Sequence, residues 1–239
     1  MRINYNYIKL LALIVVITGL FAFSNQRRAQ KNVKGIAIEF VENQNLFITE
    51  GAVNKLLIQK FGSLENVPKE KLALNNMEKV IEANKMVKSA QVFLTVNGKL
   101  ASKVVQRTPI GRIEGDSKFY LDEDGKQMPL SNSYSARVPI ITGQITDNGL
   151  ADVYEILNYI NTDEFLKKNI IGLHIENEEK YQLRFRTEEF VVNLGDVEQL
   201  KEKFSNFKAF YAKANKDKTL QHYDVVSLEF DNQVVCTKI

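Results

Sequence analysis

The feature that most constrains this chain is an uncharged, strongly apolar run near the N-terminus, LLALIVVITGLFAFSNQ, from Leu10 to Gln26. Basic residues flank it on both sides. A helix that crosses a bilayer needs roughly 17 to 25 apolar residues, and a helix starting at Tyr5, with the Lys9 side chain reaching the headgroups, falls in this range. We therefore expect a transmembrane anchor at residues 10–26, preceded by a short cytoplasmic tail at residues 1–9.

Two other interpretations of this run remain open. One is a cleaved signal peptide, because Ala22 and Ser24 have the small side chains and the spacing of a cleavage site, and the other is a buried core helix. The flanking charges do not orient the segment, since its C-terminal flank is at least as basic as its N-terminal flank. Because the short tail cannot form a domain, the folded part is expected on the far side of the membrane, in the periplasm or at the exterior of a bacterial cell.

Composition excludes some classes of function. The 32 basic and 29 acidic residues give a net charge of +3 and are spread along the chain, so no segment has the concentrated positive charge of a nucleic-acid-binding surface. Cys236 is the single cysteine, which leaves no intrachain disulfide and no multi-cysteine metal site. Hydrophobic residues make up 44% of the sequence, enough for a well-buried core.

The residues after the apolar run predict one strand and two helices. Apolar residues alternate along Ile36–Phe40, which is typical of a half-buried strand. Thr49 is a good N-cap for a short amphipathic helix that ends at Gly62, and a second helix is expected after Pro68. The polar side of this second helix is expected to carry Glu78, Lys79 and Glu82.

A hairpin follows the two helices. Asn97-Gly98 predicts a two-residue type I′ turn between strands at Val87–Val96 and Leu100–Gln106. The order strand, helix, helix, strand, strand describes a small unit in which helices cover one face of a sheet.

Thr108-Pro109 interrupts this pattern, and a second, β-rich unit is expected to begin there, with a turn at Asp124-Gly125. The run Arg137–Gly143 contains Pro139, so we expect an edge strand or a loop rather than a central strand. Further strands are expected over Ile170–Ile175, Tyr181–Arg186, Phe190–Leu194, Tyr223–Phe230 and Gln233–Lys238, helices over Val153–Thr162 and Val197–Ala214, and turns at residues 177–180 and 231–232.

Five features occur in order along the chain: the apolar anchor, the first unit ending in VVQRTPIGRI, the hairpin FYLDEDGKQMPLS, the run RVPIITG and the terminal NQVVCTK. Together they resemble the FtsQ/DivIB family of bacterial cell-division proteins, in a Bacteroidetes-like member, over essentially the whole chain. The resemblance implies an α+β fold with an N-terminal transmembrane helix, a POTRA-like β-α-α-β-β domain at residues 33–107, and a β-rich domain with flanking helices at residues 108–239. The cytoplasmic tail is much shorter than in many family members.

The resemblance also implies a function. Family members are single-pass inner-membrane proteins that act as periplasmic scaffolds in the division complex, and the C-terminal strands of their β-domain hold the small coiled-coil protein FtsB, itself paired with FtsL. We therefore expect a non-enzymatic scaffold. The alternatives are another POTRA-bearing protein of secretion or outer-membrane assembly, for which the rest of the chain is too short and too rich in helices to form a barrel, and an anchored periplasmic enzyme of unknown type.

The sequence contains no pattern that predicts a catalytic residue, a metal ligand or a cofactor site. His174 and His222 lack a local nucleophile or ligand pattern and are expected to be ordinary packed or surface side chains. Asp122–Gly125 suggests a calcium loop, but Tyr120 occupies the first ligand position and no glutamate follows at the required spacing, so a turn is expected. Cys236 is expected to pack as a small apolar side chain, with a reactive or partner-bonded thiol as the alternative.

The C-terminal hairpin is the expected partner-binding site. The expected cross-strand pairs are Phe230 with Gln233, Leu228 with Val235, and Val226 with Thr237, all on the more apolar face. The chain ends at Ile239, so no following segment is expected to cover the last strand, and its outer edge is expected to be open to a strand from another protein. Phe230 is either an aromatic anchor or a core residue. The candidate partner-binding residues are Phe230, Asn232, Gln233, Val235, Thr237 and Lys238.

Overall fold

Helix α1 runs from Tyr5 to Ala29 and contains the apolar run. The computed structural model describes residues 5–29, 32–41, 46–65, 67–145, 149–177 and 180–239. In α1 the side chains at residues 9–24 are all exposed, including Leu10 at 58% and Phe21 at 71%. Within the described ranges, no helix combines the length and the apolar character that crossing a membrane requires.

The chain divides into two units, residues 1–106 and residues 107–239, each with its own hydrophobic core. After α1, the first unit consists of β1 (Ile36–Phe40), α2 (Glu50–Phe61), α3 (Leu74–Glu82), β2 (Val87–Leu94) and β3 (Leu100–Gln106). Its three-stranded sheet has the order β1-β3-β2, in which β1 is parallel and β2 antiparallel to β3. The predicted order of elements is confirmed.

The two helices of the first unit form as their sequence pattern predicts. The Thr49 hydroxyl accepts a hydrogen bond from the Ala52 N–H at 3.2 Å and caps α2, which satisfies one of the free donors of its first turn. Helix α2 buries Val53 and Leu57 against the sheet, and α3 buries Met77 and Ile81. This two-layer core is the main source of stability for the unit.

The hairpin between β2 and β3 lies where it was predicted, but its turn class differs. The Gly98 N–H donates to the Thr95 carbonyl and the Thr95 N–H to the Lys99 carbonyl, both at 2.9 Å. Gly98 has φ +87, whereas the φ of Asn97 is not positive. A type I′ turn requires positive φ at both central residues, so that prediction is wrong. The arrangement is a three-residue loop in which Gly98 forms the bulge.

The second unit is β-rich, as predicted, and the α+β class is confirmed. Its strands are β4 (Pro109–Glu114), β5 (Lys118–Asp122), β6 (Gln127–Pro129), β7 (Ile140–Gly143), β8 (Ile170–Asn177), β9 (Lys180–Phe185), β10 (Val191–Gly195), β11 (Tyr223–Ser227) and β12 (Val235–Lys238). They form one sheet with the order β12-β11-β10-β9-β8-β7-β4-β5-β6. The predicted turn at residues 177–180 includes residues outside the described ranges.

The helices of the second unit are α4 (Gly149–Thr162), α5 (Glu164–Asn169) and α6 (Leu200–Lys216). The Tyr159 ring of α4 stacks on the Phe204 ring of α6 with centroids 5.1 Å apart, and both helices bury apolar side chains in one core cluster. They therefore cover the same sheet face. Helix α6 begins three residues later than predicted, because Gln199 has a left-handed backbone, φ 54, that is not helical. Helix α5, which Asp163 caps, was not predicted.

Strand β7 corrects the prediction for Arg137–Gly143. It is neither a loop nor an edge strand: it lies inside the sheet, parallel to β4 and to β8. Pro139 precedes the first residue of the strand, so its missing N–H removes no hydrogen bond from the ladder. Its carbonyl accepts a hydrogen bond from the Arg112 N–H at 2.9 Å and extends the pairing with β4.

The register of the C-terminal hairpin also differs from the prediction. Val225 pairs with Thr237, Val226 with Cys236, and Ser227 with Val235, a shift of one residue from the expected pairs. Such a shift moves side chains to opposite faces of a strand. Strands β11 and β12 are also shorter than expected, so the loop between them is longer than two residues.

Candidate partner-binding edge

Strand β12 is one edge of the nine-stranded sheet, where among the described strands it pairs with β11 alone. The Ile239 N–H donates to the His222 carbonyl at 3.1 Å, and the Leu228 N–H donates to the Asn193 carbonyl of β10 at 2.8 Å. Because backbone groups alternate in direction along a strand, these two bonds assign the donors of β12. The N–H groups of Val235 and Thr237 face β11, and those of Cys236 and Lys238 face outward.

The two edges of this sheet differ in their capacity to accept a further strand. Strand β6, at the other edge, has three residues, and one of them is Pro129, which has no N–H to donate. A short edge that contains proline is poorly suited to pairing. Strand β12 has four residues and no proline, so it is the better template for strand addition.

All six candidate partner-binding residues are exposed. Phe230 is 49% exposed and Val235 is 43% exposed, so the interpretation of Phe230 as a core residue is wrong. Val235 and Thr237 share one face of β12. Val234 and Cys236 point the other way and pack against the core, which follows from the observed register and not from the predicted one.

Phe230, Asn232 and Gln233 lie at the turn of the hairpin rather than on a strand. They line a shallow groove together with Gln199 and Lys203, which lie at the start of α6. Asn232 adopts φ 56, a left-handed conformation that asparagine tolerates in turns. The structure thus divides the predicted residues into two groups, one along the strand and one at the turn beside α6.

Polar contacts hold the segment before the turn. The Glu229 carboxylate lies 3.4 Å from the Lys180 ammonium and accepts a hydrogen bond from the Ser227 hydroxyl at 3.1 Å. Together with the bond from Leu228 to β10, these contacts fix the end of β11. A fixed neighbour makes β12 a better ordered template than a free terminal segment would be.

The sequence analysis missed the part played by Cys236 and Lys238 as outward-facing backbone groups. Cys236 was expected to pack as an apolar side chain, and it is half-buried against the core. Burial raises the pKa of the Cys236 thiol, which keeps it protonated at neutral pH. Its contribution to the edge is therefore its backbone, which the observed hydrogen bonds of the hairpin identify.

The other side chains considered for chemistry have structural contacts. His174 Nδ1 lies 2.9 Å from the Thr142 hydroxyl on the neighbouring strand β7, and His222 is exposed. The suspected calcium loop is a turn, as predicted: Asp122 Oδ1 accepts hydrogen bonds from the Asp124 and Lys126 N–H groups at 3.0 and 2.7 Å. Asp122 Oδ2 accepts one from Arg107 at 2.7 Å.

Two family models agree with this architecture. A model of the family described as FtsQ/DivIB, C-terminal related, matches residues 108–237, and a model of a POTRA-like domain matches residues 34–105. Among solved structures, the chain is similar to the major extracytoplasmic domain of the trans isomer of the bacterial cell-division protein DivIB from Geobacillus stearothermophilus. The identity is 16% over 47% of this chain and 97% of that chain, with a TM-score of 0.34. No curated protein matches the sequence.

The fold and the two family models define a two-domain protein with a POTRA-like unit followed by a β-rich unit. The FtsQ/DivIB model covers more than half of the sequence. The chain belongs to the FtsQ/DivIB family of bacterial cell-division proteins.

Proposed function

We propose that this protein is a non-enzymatic scaffold of the division complex, which binds an FtsB-like coiled-coil protein, paired with an FtsL-like one, through the outer edge of β12. The observation that carries the proposal is the open edge of β12, whose backbone groups at Cys236 and Lys238 face outward. An added strand would pair with these groups, and side-chain contacts would provide specificity.

The surfaces beside the edge fit the same proposal. Phe230 and Val235 are large apolar side chains with about half of their surface exposed, next to polar groups at the turn. Interface hot spots are enriched in aromatic residues that become buried on binding.

The test of the edge is a matched pair of substitutions at Lys238. Proline there removes the outward N–H and leaves the inward bonds of Val235 and Thr237 in place, whereas Lys238→Ala removes the side chain and keeps the N–H. In a pull-down with the FtsB-like protein, Lys238→Pro should lose most of the captured partner and Lys238→Ala should retain it. Equal capture by the two variants would mean that the edge is not the binding site.

A truncation after Asn232 removes the whole strand and gives a coarser version of the same test. It should abolish capture. The POTRA-like unit lies outside the truncated region, and we expect a separate fragment of residues 32–107 to unfold cooperatively. Full capture by the truncated protein would place the binding site elsewhere on the β-rich unit.

We also propose that residues 10–26 anchor the protein in the inner membrane, uncleaved, with both folded units in the periplasm. Support comes from the uncharged run itself and from its position on a 25-residue helix whose apolar side chains are exposed. Exposed apolar surface of this size is unfavourable in water. A reporter enzyme that is active only in the periplasm, fused after Ile239, should be active and remain in the membrane fraction. An inactive fusion would contradict this topology.

A further inference from the structure

The outer edge of β2, in the POTRA-like unit, is occupied by two side chains of helix α3. The Glu78 carboxylate accepts a hydrogen bond from the Val92 N–H at 2.8 Å, and the Glu82 carboxylate accepts one from the Ala90 N–H at 3.0 Å. Strand β2 is an edge of the three-stranded sheet, so these N–H groups point away from β3. The sequence pattern had placed both glutamates on the polar side of the helix and gave no sign of this contact.

The two contacts can form together because one turn of α3 and two residues of β2 span nearly the same distance. Glu78 and Glu82 are one helical turn apart, about 6 Å along α3 at 1.5 Å per residue. Ala90 and Val92 are two strand residues apart, about 6.8 Å along β2 at 3.4 Å per residue. Two glutamates at this spacing therefore reach successive outward N–H groups of an antiparallel strand.

These hydrogen bonds use the donors that strand addition requires. A carboxylate is a stronger acceptor than a carbonyl group, so an incoming strand would have to displace two charge-assisted bonds. Strand β2 has eight residues, twice as many as β12 has, and a long open edge tends to pair with its own copy. Antiparallel pairing of β2 with itself would obey a two-fold axis and would bring the glutamates of both copies together, where like charges repel.

We propose that Glu78 and Glu82 close the edge of β2 against the β2 strand of a second copy of this chain. The two glutamates thereby prevent the POTRA-like unit from self-associating through its sheet. This inference stands independently of the proposed partner, since it concerns a different sheet and none of the residues of β12.

The test compares two double variants of the full chain in detergent, Glu78→Ala with Glu82→Ala, and Glu78→Gln with Glu82→Gln. Both remove two negative charges, but glutamine keeps an oxygen acceptor at the same reach. Amide hydrogen exchange over residues 87–94 measures the hydrogen bonds, and sedimentation equilibrium over a range of concentrations measures self-association.

In the alanine pair at low concentration, we expect exchange at Ala90 and Val92 to be roughly ten- to a hundredfold faster than in the wild type. At high concentration the alanine pair should form dimers and regain protection at these residues. The glutamine pair keeps both acceptors but loses the charge repulsion, so it should dimerise more weakly than the alanine pair. Equally strong self-association of the two double variants, or self-association of neither, would overturn the proposal. If the alanine pair does not fold, Glu82→Ala alone should expose the Ala90 amide while Val92 remains protected, and unchanged exchange at Ala90 would overturn it as well.

Discussion

Replacing Asp122 with alanine tests how the second unit is held together at its first residues. The carboxylate is almost fully buried, with 1% of its side-chain surface exposed, and it pairs with Arg107, which is 13% exposed. It also accepts the N–H groups of Asp124 and Lys126 in the turn between β5 and β6. The substitution therefore removes three hydrogen bonds and leaves a nearly buried guanidinium without its main partner.

Breaking a buried pair by removing one partner costs about 3 to 5 kcal/mol. Arg107 retains some solvent contact and lies 3.9 Å from the Asp124 carboxylate, which offsets part of that cost. We therefore expect Asp122→Ala to lower the free energy of unfolding of this unit by about 2 to 4 kcal/mol. That is a large fraction of the roughly 5 to 15 kcal/mol typical of a domain.

The sequence provides a convenient probe for this measurement. In a fragment of residues 32–239 every tyrosine lies in the second unit, so tyrosine fluorescence during urea unfolding reports on that unit alone. Arg107→Met and the double variant complete a double-mutant cycle, in which we expect a coupling energy of about 1 to 3 kcal/mol. Additive effects, or a loss below about 1 kcal/mol for Asp122→Ala, would refute the assigned role of the pair.

Three further predictions concern stability. Gly143 has φ +106, and a Cβ there would overlap the backbone carbonyl oxygen of Ile175, so Gly143→Ala should cost about 2 to 5 kcal/mol in urea unfolding, whereas Gly115→Ala, with no atom closer than 4.0 Å, should be nearly neutral. The buried Ser102 hydroxyl has no hydrogen-bond partner among the residues that the structure describes, so Ser102→Ala should leave the stability of the POTRA-like fragment unchanged or raise it by about 1 kcal/mol in thermal unfolding, and a clear loss would contradict this. A hydrogen bond from Lys208 lowers the pKa of Asp163 below its ordinary value. The stabilisation that this pair gives the folded state is therefore fully present at pH values above the ordinary pKa, and it is lost as the pH falls through the lowered pKa of the folded state. The difference in unfolding free energy between wild type and Lys208→Met should therefore shrink below about pH 4, and a difference independent of pH would contradict this account.

Local patterns predicted most elements of the fold but not how they pair. The helical spacing and the Thr49 cap were sufficient to predict α2, because a capped amphipathic helix depends on residues close in sequence. Strand β7 was misjudged because a proline inside an apolar run argues against a central strand, unless the strand starts after the proline. Only the tertiary structure shows where the ladder begins.

The candidate site illustrates the same limit. Exposure of Phe230 and Val235 agrees with a binding surface, and the position of β12 at a sheet edge was expected from sequence order. The register was not, because the number of turn residues cannot be read from Asp231-Asn232 alone. The one-residue shift changes which residues of β11 lie opposite β12, and the observed backbone hydrogen bonds show that the N–H of Lys238 points outward.

Under the proposed function, the position of β12 at the end of the sheet would link partner capture to local stability. A four-residue strand paired on one side should open more readily than the sheet interior, so its amide groups report small opening free energies. An added strand would make β12 an interior strand, and its opening would then require the partner to dissociate. Exchange at Val235 and Thr237, whose amides face β11, should slow in proportion to the bound fraction. Exchange at these two amides would thus measure the fraction of the protein that has a partner bound at β12.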